Sequence, residues 1–128
     1  MFIAISMGNG AVAQKNAKQN SPDAIYGKAQ EFAAMGNYAK SLEEFLKAAR
    51  IYEVNKDHKN LAKTYNSIGL TYYELKNEVL SKSFYNKALS ELSIVPDKRL
   101  LSYVYNNLGM LAGNQGVNDS AAYYYSES

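Results

Sequence analysis

The chain is 128 residues long, 47% apolar and 20% charged, with a net charge of +2. That is enough length for one domain with a core of its own, and too little charge to hold nucleic acid or an anionic membrane by electrostatics. There are no cysteines, which excludes a disulfide framework and thiolate metal sites.

The first element is residues 1–13, MFIAISMGNGAVA, apolar and small throughout. It ends in Ala11-Val12-Ala13, the small-residue pattern of a signal-peptidase site. The apolar run from Phe2 to Met7 is too short to span a bilayer, and no Lys or Arg precedes it. The segment therefore reads as an abbreviated signal peptide, with a plain N-terminal tail as the alternative. The first reading implies an exported or periplasmic protein, the second a cytoplasmic one. Residues 14–21, QKNAKQNS, read as a polar linker. No later segment is a transmembrane candidate.

From Pro22 onward the chain repeats itself at an offset of forty residues without gaps. Ala29, Gly69 and Gly109 coincide, as do Ile25, Tyr65 and Tyr105, and Phe32, Tyr72 and Ala112. Further on, Ser41, Ser81 and Ala121 coincide, then Phe45, Tyr85 and Tyr125, then Ala48, Ala88 and Ser128. Self-similarity at such a period marks a repeat architecture. We divide it as 22–61, 62–101 and an incomplete third unit, 102–128.

Each unit holds two helices. In the second, Leu61, Tyr65, Ile68, Tyr72 and Leu75 step by four and three, tracing one helix face. Asp57 stands at or just before its N-cap. After a break near Lys76-Asn77, the next helix buries Ser81, Phe84, Tyr85, Ala88 and Leu92. Unit one repeats this with Tyr38, Leu42, Phe45, Ala49 and Tyr52, and Gly36 takes the positive φ of its turn. In unit three GNQGVND at 113–119 makes the turn, so five full helices and a shortened sixth are expected. Gly in mid-helix costs about 1 kcal/mol against Ala. Gly69 and Gly109 at one register therefore imply close helix contact, with Ser41, Ser81 and Ala121 as the small partners.

These columns resemble the tetratricopeptide repeat family over roughly Pro22 to Ser128. The resemblance rests on Ala29, Phe32, GNY at 36–38, Ser41, Phe45 and Ala48; on IGLTY at 68–72, Ser81, Tyr85 and Ala88; and on LGMLA at 108–112, Gly116, Ala121 and Tyr125. Lys28, Lys76 and Glu78 depart from the family pattern. The forty-residue spacing resembles variants found in regulatory scaffolds and bacterial sensor proteins. The resemblance implies an all-α fold, an α-α superhelix of helix-turn-helix repeats, whose first helices line a concave face that holds extended peptides.

Catalytic patterns are missing. His58 lies in the polar connector NKDHKN and reads as a solvated loop residue; one His without Cys builds no zinc site. No Gly-x-Ser-x-Gly elbow or phosphate loop occurs, and Glu43 and Glu44 are adjacent on a helix and point apart. The expectation is a non-enzymatic interaction scaffold without metal or cofactor, which binds a protein or peptide and not nucleic acid. The alternative is a sensory input region of a larger signalling protein, a histidine kinase or a transcription regulator. Candidate contact residues on the concave face are Tyr26 and Gln30 in unit one. In unit two they are Lys63, Asn66, Ser67, Leu70 and Tyr73, and in unit three Tyr103, Asn106, Asn107 and Met110. Asn side chains both donate to and accept from a peptide backbone, so Asn66 and Asn107 are expected to touch it. Equally, Asn66 and Asn106 could only cap or bridge helices. The family's clamp for a C-terminal carboxylate needs cations where Tyr26, Gln30, Tyr103 and Asn107 stand, so a receptor for such tails is not expected. Ending inside a helix, the chain reads as a fragment, or as one whose open last repeat pairs with a second copy.

Overall fold

The computed structural model describes residues 20–114. Among them are five helices and no strand: α1 (Pro22–Ala34), α2 (Tyr38–Val54), α3 (His58–Glu74), α4 (Glu78–Ile94) and α5 (Lys98–Asn114). Residues 1–13, with their expected signal peptide, nearly all of the linker and the sixth helix expected after 119 lie outside the described residues.

The joints explain why helices form where they do. Asn37, Asp57, Asn77 and Asp97 stand twenty residues apart. Each caps the helix that follows: Asn37 Oδ1 accepts from Lys40 N at 3.3 Å, Asp57 Oδ1 from Asn60 N at 3.3 Å, Asn77 Oδ1 from Leu80 N at 3.1 Å, and Asp97 Oδ1 from Leu100 N at 2.9 Å. The first three also close the helix before. Asn37 N donates to Phe32 O, Asp57 N to Tyr52 O and Asn77 N to Tyr72 O, while Gly36, Lys56 and Lys76 donate to the carbonyls one residue further on. This is the Schellman arrangement. It requires a left-handed residue, and Gly36, Lys56 and Lys76 have φ of 76°, 55° and 63°. One polar residue thus ends one helix and starts the next. The fourth joint differs. Pro96 has no N–H to donate, and Val95 before it is extended, with φ −125° and ψ 95°.

These joints shift the unit boundaries. The breaks fall at 55–57 and 95–97, so residues 58–61 and 98–101 belong to the first turns of α3 and α5. His58 is therefore the first residue of α3 rather than a loop residue, and its Nδ1 lies 2.6 Å from Glu91 Oε2 on α4. Leu75, expected on the packed face, is 44% exposed. The helix has ended one residue earlier, so position 75 no longer follows the helical register.

Each helix packs on the next, most extensively within units, α1 on α2 and α3 on α4. Two apolar clusters result. One gathers Tyr26, Ala29, Phe45, Ala48, Tyr52, Leu61 and Ile68, with Phe84 half-buried against it. The other gathers Ala62, Tyr85, Ala88, Leu92, Val104, Leu108 and Leu111. α3 serves both, with Leu61 and Ile68 on one side, Ala62 on the other and Tyr65 touching each. The small residues sit at the closest approaches. Ser41 and Ser81 are fully buried, and their hydroxyls donate to Ala29 O and Gly69 O, both at 2.8 Å.

Candidate functional site: the face of the first helices

The first helices of the units, α1, α3 and α5, are joined side by side through their side chains. The Tyr26 hydroxyl shares a hydrogen bond of 2.7 Å with Ser67 Oγ, and Asn107 Nδ2 donates to Asn66 Oδ1 at 2.8 Å. Both links bridge 41 residues, so one repeat column meets the next column of the following unit. Asn66 thus bridges two helices, and the residue that it meets is Asn107.

Two cavities open on this face. The first, about 430 Å³, lies between α1, α3 and α5. Tyr26, Lys63, Asn66, Ser67 and Tyr103 line it, together with Lys59, Asn60, Asp97, Arg99 and Leu100. The second, about 410 Å³, lies further along α1 and α3. Gln30, Ser67 and Leu70 line it, with Ala33, Ala34, Tyr38, Phe45, Thr71 and Glu74. Ser67 belongs to both.

Seven of the eleven sequence candidates therefore line a cavity. Tyr73, Asn106, Asn107 and Met110 line neither. Tyr73 is half-buried against the second cluster. Tyr26 was expected to be exposed but is only 7% so. Its ring meets Phe45 edge-on at 5.1 Å, its hydroxyl turns to Ser67, and Lys63 Nζ lies 4.6 Å above the ring. Burial pushes its pKa up, with the Ser67 hydrogen bond pulling the other way. Asn66 is 8% exposed, held at the floor of the cavity by Asn107.

The residues missed by sequence reasoning are mostly those of the first turns. Lys59, Asn60, Arg99 and Leu100 had been assigned to connectors or to the preceding unit. Asp97 holds two partners, Leu100 N as a cap and Lys59 Nζ at 3.2 Å. The cap hydrogen bond, then Lys59, hold its carboxyl below the usual range.

A family model of the tetratricopeptide repeat matches residues 24–90, from the first turn of α1 almost to the end of α4. The chain belongs to the tetratricopeptide repeat family. Repeats of this family are generally protein–protein interaction modules. A comparison with curated proteins found no match to this chain. Among the described residues of this tetratricopeptide repeat protein, no group of three His, Cys, Asp or Glu side chains is placed to hold a metal ion. None of the described helices is long and apolar enough to cross a membrane.

Proposed function

We propose that this protein is a non-enzymatic scaffold whose concave face, formed by α1, α3 and α5, holds an extended segment of a partner protein. The observation that carries this reading is the pair of cavities that meet at Ser67 on one face of three helices. Together they offer what an extended chain needs: apolar recesses beside Leu70, Phe45 and Tyr103, and the side-chain amides of Asn60 and Asn66 for its backbone. The Asn66–Asn107 link uses one donor and one acceptor, and leaves each amide further hydrogen-bonding capacity.

The test is photo-crosslinking in the native host. A benzophenone amino acid placed at Gln30 or Tyr103, both exposed on the first-helix face, should give one shared partner adduct. The same probe at Glu43 or Arg50, exposed on α2, should not. Adducts from α2 alone would move the binding surface to the second helices.

A further inference from the structure

The first cavity is not neutral. Three cations line it, Lys59, Lys63 and Arg99, against one carboxylate, Asp97. Where three helices converge, cations therefore outnumber carboxylates by two among the described lining residues. Asp97 is already engaged by Lys59 and by the first turn of α5. Lys63 and Arg99 have no carboxylate partner within ion-pair distance among the described residues. Each is braced by an aromatic residue instead. Lys63 Nζ sits over the Tyr26 ring, which is itself buried and tied to Ser67. Arg99 Nε donates to Tyr103 Oη at 3.0 Å, and its guanidinium lies 5.9 Å from that ring.

A cation held by a ring face keeps its charge available and loses little further freedom when an anion arrives. The second cavity has the opposite character. Among the described residues its only charged lining residue is Glu74, beside Ala33, Leu70 and Phe45. The two meet at Ser67, so a chain in the first continues into the second and need not end there.

We propose that the partner segment is acidic: an internal Asp or Glu side chain of the extended peptide enters the first cavity between Lys63 and Arg99, and an apolar side chain of the same peptide enters the second. This rests on the reading that the first-helix face holds an extended segment. Glu74 would repel a second acid, so the face reads an order of residues along the peptide as well as their charge.

The probe is a pair of short peptide pools, acetylated and amidated so that no terminal charge remains. Both are random in Ala, Leu, Tyr, Asn and Ser; one carries a central Glu and the other Gln. Binding is followed by amide chemical shifts of the full chain. The Glu pool should bind about tenfold more tightly, the scale of one charge-assisted hydrogen bond, and should move the amides of Lys63, Ser67 and Arg99. High salt should erase much of that difference. Lys63→Gln and Arg99→Gln should each cut binding of the Glu pool several-fold more than that of the Gln pool, so that the preference for Glu falls toward none. Both side chains are exposed, so the variants should melt with the parent.

Equal binding of the two pools at these amides would overturn the acidic preference and leave the peptide-binding face standing. A preference for Glu that survives both substitutions would also overturn it, as would binding confined to peptides with a free C-terminal carboxylate. Shifts confined to α2 and α4, or none at all, would overturn the face and the preference together.

Discussion

Units one and two make the same contact with different residues. In each, a buried serine on the second helix donates to a carbonyl of the first, Ser41 to Ala29 and Ser81 to Gly69, at the same 2.8 Å. The first helix carries alanine in one unit and glycine in the other, and the aromatic four residues after each serine explains why. In unit one, Phe45 turns its ring edge-on to Tyr26. In unit two, Tyr85 is fully buried and its ring lies over the Gly69 backbone. A Cβ on Gly69 would stand 2.5 Å from Tyr85 Cε1 and 2.6 Å from Cδ1. The helices approach closely in both units, but only a ring over the backbone demands the loss of a methyl group.

The largest effect expected from breaking this arrangement is that of Gly69→Leu. The ring it meets has no solvent-facing side to move toward, so the cost should reach the upper end of the ~1–3 kcal/mol range for overpacking. Urea denaturation measures it. A variant as stable as the parent would place the Tyr85 ring elsewhere.

Gly69→Ala sharpens the comparison, because helix propensity favours alanine by about 1 kcal/mol while the Tyr85 ring opposes it. The expected net result is a loss of about 1 kcal/mol, with overpacking the larger effect. Ala29→Gly in unit one should also lose about 1 kcal/mol, since propensity acts there unopposed. In a Tyr85→Ala background, Gly69→Ala should change sign and stabilise. A double-mutant cycle without that reversal would separate the glycine from the ring.

The hydroxyl of Tyr85 distinguishes the units again. It is buried without a hydrogen-bond partner, and burial pushes its pKa up to about 12. Ser81 lies near enough to offset part of that rise, but the two hydroxyls form no hydrogen bond with each other, and that of Ser81 donates to Gly69 O. Tyr85→Phe should therefore stabilise by about 1 kcal/mol, the low end of the penalty for an unpaired buried group. Tyr26, Tyr52 and Tyr65 are also raised, each chiefly by burial. A raised folded-state pKa means that the unfolded chain gives up its proton first. Stability should be full below pH 10, where unfolded tyrosine begins to ionise, and should fall as pH rises beyond it. Phenolate absorbance appearing together with loss of helix would check this; ionisation of all twelve tyrosines while the helices persist would contradict it.

The forty-residue register was legible because size alternates visibly in its columns. Gly69 and Ser81 could be paired from the sequence on the cost of a mid-helix glycine. The cavity was harder to read. Tyrosine is amphipathic, and nothing in the order of residues says that Tyr26 turns its hydroxyl inward to Ser67. The first turns of α3 and α5 were missed for another reason. A helix's first turn is as polar as a loop, so Lys59, Asn60 and Arg99 resemble connector residues until the caps are seen to recur at half the repeat. Aligning at forty hides a punctuation that recurs at twenty, since Asn37 matches Asn77 and Asp57 matches Asp97, but neither pair matches the other.

That punctuation supplies the smallest expected effects. Three joints use a left-handed residue, and only the first has glycine there. Lys56 and Lys76 hold φ of 55° and 63°, which costs a residue with a Cβ about 1–2 kcal/mol. Glycine would remove that strain but would add freedom to the unfolded chain, a partial offset. Lys56→Gly and Lys76→Gly should each stabilise by roughly 0.5–1 kcal/mol, and should add, since the joints lie in different units and share no partner. Gly36→Ala should lose a similar amount. At the fourth joint, Val95→Gly should gain nothing, because its backbone is extended and glycine brings only disorder to the unfolded state. Melting temperatures of the four variants measure this directly. A gain at Val95 equal to that at Lys76 would mean that the joints differ in sequence alone and not in backbone geometry.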